Sequence, residues 1–178
     1  MTGEIGKGYI QIYTGNGKGK TTAALGLCLR AAGHGFNSVV IQFLKGWIDY
    51  GELEGVKMLS PYVTLIQSGR DTFVNPDAPD EEDVKLACKG LEIARNTLEK
   101  GGIKILVLDE INCAVMFNLI GEEEVLELMR SKPDGIELVL TGRGATKKMK
   151  ELAHLVTEMR EVKHYYSEGV DGRIGVER

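Results

Sequence analysis

Gly15-Asn16-Gly17-Lys18-Gly19-Lys20-Thr21-Thr22 is the stretch whose reading decides the fold. The short apolar run Tyr9-Ile10-Gln11-Ile12-Tyr13 precedes it and Ala23-Ala24-Leu25 follows, so a strand, a glycine loop and a helix start are written in that order. Three glycines in five residues let the backbone wrap a ligand, Lys20 brings a mobile point charge, and the Thr21 hydroxyl can reach a magnesium ion. A backbone nest feeding a helix N-terminus aims several N–H groups and the positive end of the helix dipole at one anion. That is phosphate-binding chemistry. The common pattern G-x-x-x-x-G-K-S/T places a glycine five residues before Gly19, where this chain has Thr14, and Gly15 comes one residue late. A loop shortened in this way can cradle phosphates without holding a triphosphate in the ordinary register.

Strands alternating with helices surround this motif. Thr21 to Ala32 is apolar almost all round, which predicts a helix covered on more than one side and stopped at Gly33 and Gly35. Ser38 to Gln42 and Val63 to Gln67 read as short buried strands, the first running into Phe43-Leu44-Lys45-Gly46-Trp47 and the second into Ser68-Gly69-Arg70-Asp71-Thr72-Phe73. About thirteen residues through Asp80 carry no periodicity, and loops of that length in compact domains are functional or disordered. Asp80 opens an amphipathic helix with apolar positions at Val84, Ala87, Cys88, Leu91, Ala94 and Leu98, closed by Gly101-Gly102. Lys104 to Glu110 is an apolar strand ending in two carboxylates, the form of a Walker B element. A helix over about Glu122 to Arg130 ends at Pro133. Strand Ile136 to Leu140 then runs into Thr141-Gly142-Arg143, and a helix over Thr146 to Ala153 leads to strand Leu155 to Val162. The pattern predicts six strands in a mainly parallel sheet with helices on both faces, binding its ligand outside the carboxyl ends of the strands.

Composition narrows the function. At 178 residues and 43% hydrophobic, the chain suits one α/β domain with a sizeable core. A net charge of −4 with scattered Lys and Arg gives no electrostatic footprint for nucleic acid. The N-terminus has no charged-then-apolar leader, and no apolar run approaches the roughly 18 residues of a membrane span, so the expected location is cytoplasmic, with no membrane partner. Cys28, Cys88 and Cys113 are an odd, widely spaced set without a C-x-x-C pair and read as small buried hydrophobes.

At the strand ends, Asp109 and Glu110 can hold a divalent metal, directly or through water, opposite Thr21. Arg143 and Lys45 stand where strand ends bring positive charge toward a triphosphate, Arg as a planar fork and Lys as a point charge. Phe73 and Trp47, in loops beside the phosphate site, read either as an apolar face for a large flat ligand or as anchors tucked into the core. The residues alone leave several activities open: a P-loop ATPase or small-molecule kinase attacked at the γ-phosphorus, or a non-catalytic ATP-sensing switch.

GNGKGKTTAALG, QFLKG, LVLDEINCAV, LTGRGA, LVTEMREVKH and the closing glycine pattern together resemble the P-loop type ATP:corrinoid (cob(I)alamin) adenosyltransferase family across most of the chain. The shortened loop is that family's form. The resemblance implies transfer of the 5′-deoxyadenosyl group of ATP to the Co(I) of a reduced corrinoid, releasing triphosphate, in adenosylcobalamin synthesis or salvage. It further implies that Gly15, Asn16, Gly17, Lys18, Gly19, Lys20, Thr21 and Thr22 bind ATP with help from Lys45 and Asn112. Lys20, Glu110 and Arg143 would be catalytic. Thr21, Asp109 and Glu110 would serve magnesium or manganese, and the Phe73 loop would face the corrinoid. The family's corrinoid loop often reads glycine, aromatic, Thr, Trp, whereas Arg70-Asp71-Thr72-Phe73 follows Gly69 here, leaving one aromatic. Some members carry a long N-terminal arm that helps close the site, and about eight residues precede the first strand here. The expected whole is a RecA-like P-loop domain over residues 1–178, a homodimer supplied by a flavin-dependent reductase.

Overall fold

The computed structural model describes residues 6–46 and 50–177. Six strands, β1 (Ile10–Thr14), β2 (Ser38–Phe43), β3 (Val63–Ser68), β4 (Ile105–Asp109), β5 (Glu137–Thr141) and β6 (Leu155–Glu158), form one sheet in the order β3-β2-β4-β5-β1-β6. Every pairing in it is parallel, so the sheet is parallel throughout and not merely in the main. The strands alternate with α1 (Lys20–Ala32), α2 (Gly51–Met58), α3 (Glu81–Lys100), α4 (Ile111–Met116), α5 (Glu122–Ser131) and α6 (Lys147–Leu152).

The period-two rule decides which helix covers which face. Along β4, Ile105 and Val107 point into a cluster with Ala24, Cys28 and Ala31 of α1 and Val56 of α2. Leu106 and Leu108 point the other way, into a larger cluster with Leu91 and Ala94 of α3, Ala114 of α4, Leu126 of α5 and Met149 of α6. All five β4 residues are buried, as a central parallel strand covered on both faces requires. Because all strands run one way, their carboxyl ends, with Thr14, Phe43, Ser68, Asp109 and Thr141, lie along one edge. The loops leaving that edge carry the chemistry.

Several expectations are corrected. The helix after the glycine loop is covered on one side: its buried residues are Lys20, Ala24, Cys28 and Ala31, and Leu29 is 56% exposed. Small residues at that spacing seat α1 close to the sheet. The last strand stops at Glu158, well before Val162, because its partner β1 runs out at Thr14, where the glycine loop begins. Two helices were unforeseen. α2 buries only Val56, and α4 buries nearly every side chain, so neither writes an amphipathic period. Cys88 is exposed, lying just off the α3 stripe of Ala87, Leu91, Ala94 and Leu98, whereas Cys28 and Cys113 are buried as expected.

Candidate functional site

At the end of β1 the chain turns through Gly15 to Gly19, which adopts a left-handed conformation (φ 116°), and α1 begins at Lys20 with no side chain capping it. The first amides of a helix have no partner inside it, so an uncapped N-terminus opening into a loop can receive an anion. Lys20 is buried, and its Nζ donates to the carbonyl oxygens of Gly15 and Gly17, both at 2.8 Å. The ammonium thus props the loop open from within and, among the described residues, keeps one N–H without a partner. Burial lowers the Lys20 pKa, and the nearby Glu110 carboxylate opposes that shift. The loop glycines have a second reason to be glycine. A Cβ on Gly15 would lie 2.4 Å from the Met159 carbonyl oxygen, and one on Gly17 would lie 2.8 Å from the Arg160 carbonyl carbon. Gly17 N–H donates to Met159 O at 2.7 Å, so the segment after β6 braces the loop from behind.

Asp109, fully buried, is the hub of the strand ends. Its Oδ1 accepts from Thr21 Oγ1 at 2.8 Å and from Thr141 Oγ1 at 2.7 Å. Its Oδ2 accepts from Lys45 Nζ at 2.9 Å and Gln42 Nε2 at 3.2 Å. A carboxylate has about four acceptor positions, and all four are used here. Lys45 is consequently committed to Asp109, with Glu52 at 3.7 Å as a second carboxylate. Burial alone would lower the Lys45 pKa, but the Asp109 charge and hydrogen bond raise it overall.

Glu110 follows in a left-handed conformation unusual for a side-chain-bearing residue (φ 65°, ψ 15°), and its N–H donates to Thr141 Oγ1 at 3.0 Å. This turn takes the carboxylate out of the sheet and into the cavity beside the loop. Asn112 does not line that cavity. It is fully buried and ties α4 to the end of β5 through a 3.0 Å bond from Nδ2 to Gly142 O. Cys113, beside it, is pushed up to about 12 by burial and by the Glu110 charge. Arg143 is exposed at the end of β5, close enough to lower the Lys20 pKa further.

The cavity itself measures about 420 Å³. Its floor is Lys18 to Thr22 with Leu25, and one wall is Lys45, Tyr50 to Glu52 and Glu110. Gly175, Val176 and Glu177 form another wall; the closing glycine pattern was visible in the sequence but gave these residues no role in the site. Thr141, Gln42 and Glu52 were likewise missed as individual residues. Thr141 and Gln42 fall within strand-end clusters that the sequence displays, and Glu52 lies on the unforeseen α2. Phe73 does not line the cavity. It stands 99% exposed on the loop between β3 and α3, while neighbouring Val74 packs against the core. Arg70 clasps that loop by pairing with Asp80 and with Asp83, the latter at 2.8 Å. Trp47 lies outside the described residues.

Comparison with known proteins bears on what this arrangement does. A likeness of fold alone links the chain to a KaiC-like protein of Pyrococcus horikoshii, with a TM-score of 0.53 at 16% identity over 85% of this chain and 72% of that one. The corrinoid adenosyltransferase of Escherichia coli (strain K12) is 36% identical over 172 residues, covering 96% of this chain and 86% of the relative. Corrinoid adenosyltransferase CobA of Salmonella typhimurium is 34% identical, with 96% and 86% covered. A family model described as ATP:corrinoid adenosyltransferase BtuR/CobO/CobP matches residues 6–178. A match of that length, with relatives about a third identical over 86% of their own sequence, means that this chain belongs to the ATP:corrinoid adenosyltransferase family, a family of enzymes.

Proposed function

We propose that the cavity over the glycine loop is where this enzyme holds ATP while the Co(I) of a reduced corrinoid attacks the ribose 5′-carbon. A cobalt–carbon bond forms, the carbon–oxygen bond to the α-phosphate breaks, and the electron pair leaves with triphosphate. The observation that carries this reading is the state of Lys20, a buried ammonium resting on two loop carbonyls beside an uncapped helix N-terminus. The site is built for anionic oxygen. Loop amides, Lys20 and the exposed Arg143 stabilise negative charge as it develops on the leaving oxygen, and such preorganised donors need no reorientation during the reaction.

The donor set also fits a hard divalent cation, magnesium or manganese. It consists of oxygen, with the Thr21 hydroxyl beside Asp109 and the Glu110 carboxylate facing the cavity. Because the acceptor positions of Asp109 are all engaged, Glu110 and Thr21 would hold the ion and Asp109 would orient Thr21. A bound cation would neutralise phosphate charge. Lys45 and Asn112 act as positioning residues, the first through Asp109 and the second by fixing Gly142 and the arginine after it. The exposed Phe73 offers the corrinoid an apolar surface at the same sheet edge. The same family reading extends to a cytoplasmic homodimer supplied with electrons by a flavin-dependent reductase.

Single-turnover mixtures with reduced corrinoid and ATP, resolved by phosphorus NMR, test the bond that breaks. Stoichiometric triphosphate with a new cobalt–carbon absorbance is the expected outcome. ADP with unaltered corrinoid would mean attack at the γ-phosphorus and overturn the reading.

A further inference from the structure

Residues 165–177 do nothing for the core, since none of them is buried, yet they are tied into a definite shape. A short 3-10 turn, Tyr165–Glu168, is followed by a return in which the Glu177 carboxylate accepts from Arg173 N at 2.9 Å, Arg173 Nε and Nη2 each at 3.2 Å, and the Tyr165 hydroxyl. The Arg173 guanidinium lies over the Tyr165 ring at 4.8 Å, and Gly175 turns the backbone with φ 77°. The closed knot presents Gly175, Val176 and Glu177 to the cavity that Lys20, Thr21 and Thr22 also line. Its hydrogen bond to the glycine loop runs from Lys18 Nζ to Val176 O at 3.0 Å.

We propose that this segment is a strap belonging to the ATP site, which holds the Lys18 ammonium at the mouth of the glycine loop where it meets the triphosphate. The proposal rests on the reading that ATP occupies this cavity. Lys18 sits on the exposed side of the loop, and an unheld lysine loses much rotamer freedom when it binds a phosphate. Docked on Val176 O, the side chain has lost that freedom beforehand. An ammonium has three donors, so two are left for phosphate oxygens after the carbonyl has taken one. The strap also solves a charge problem. A bare carboxylate in the wall would repel a triphosphate, but Glu177 is paired with Arg173, so the two together carry no net charge. Hydrogen bonds from Arg173 and Tyr165 hold the Glu177 carboxyl low, at about 2, so it is ionised beside Arg173 at neutral pH.

The test combines truncation with a double-mutant cycle. A chain ending at Glu168 should bind ATP about tenfold or more weakly by calorimetry, the value of one charge-assisted hydrogen bond. Lys18→Met should weaken binding similarly, and the two changes together should cost little more than either alone, because the strap acts through Lys18. ATP should also slow tryptic cleavage after Arg173 in the full chain. If truncation lowers the melting temperature, Glu177→Ala in the intact chain is the deciding variant and should raise the ATP dissociation constant. Unchanged affinity on truncation or in Glu177→Ala, strictly additive losses with Lys18→Met, or cleavage indifferent to ATP would overturn the strap. Lys20→Ala separates the two readings. If it abolishes ATP binding while truncation does nothing, the strap fails and the site stands; if it binds ATP normally, the site itself is misplaced.

Discussion

Asp109 and Glu110 are adjacent carboxylates with opposite circumstances, and the difference sets what each can do. Asp109 is fully buried with four donors on its oxygens, while Glu110 faces the cavity after a left-handed turn. Removing Asp109 leaves the Lys45 ammonium, largely shielded from water, without its nearer charge partner and two hydroxyls without their acceptor. Asp109→Ala should therefore destabilise the fold by about 3–5 kcal/mol, the range for breaking a buried pair, as read from denaturant unfolding. Glu110→Gln should leave the unfolding midpoint nearly unchanged while lowering turnover and shifting the metal titration. Overlapping metal titrations would move the ligand role elsewhere. The cysteines offer a second residue-scale test. Cys113 at about 12 and Cys28 at about 11 are raised mainly by burial, so at pH 8 only about one in a thousand to one in ten thousand is thiolate. One equivalent of maleimide should react quickly, at exposed Cys88, and the other two thiols should react only on unfolding. Fast labelling of Cys113 in the folded enzyme would contradict its placement beneath Glu110.

β4 was legible as a continuous apolar run, and the amphipathic helices were legible by a side-chain period that survives in the packed structure. α3 shows this best, with Asp80 at its start and a buried stripe through Ala87, Leu91, Ala94 and Leu98. α4 was illegible for the opposite reason, since a helix buried nearly all round looks like a continuation of the buried strand before it. The strap was illegible because it is held by side-chain hydrogen bonds and one cation–aromatic contact, which leave no periodic trace. In the loop between β3 and α3, length was visible but the division of labour was not: Val74 anchors it and Phe73 is left bare. That division supports a specific outcome for Phe73→Ala. Because Phe73 neither lines the cavity over the glycine loop nor fills core volume, ATP affinity and melting temperature should hold within error. The corrinoid KM should rise at least several-fold. Equal losses for both substrates, or a lower melting temperature with normal corrinoid kinetics, would return Phe73 to a structural role.

At the scale of the whole molecule, parallel topology puts every strand's carboxyl end at one edge, and this made the candidate site's position at that edge readable before its geometry was. The glycine loop and the two carboxylates at the end of β4 share that edge because crossover connections bring each strand back in the same direction, and Arg143 leaves β5 at the same edge without lining the cavity. What topology cannot convey is how firmly each part of that edge is held. β4 lies at the centre with all five residues buried between two helical layers, whereas β6, among the described residues, pairs only with β1 and all four of its residues are exposed. Yet β6 leads into Met159, whose carbonyl oxygen braces Gly17. The glycine loop therefore rests on β1, which is interior, and against a segment that hangs from the weakest strand. Local opening follows the number of buried contacts that must be broken, so native-state hydrogen exchange should rank the sheet. Amides of β4 and β5 should exchange only through global unfolding, and those of β6 should exchange fastest among the strands. Saturating ATP should slow exchange in residues 155–160 along with the loop, because a ligand that fixes Gly15 to Thr22 also fixes what leans on them. Exchange in β6 as slow as in β4 would mean that this edge is covered in solution. ATP protection confined to residues 15–22 would mean that the brace at Met159 carries no coupling.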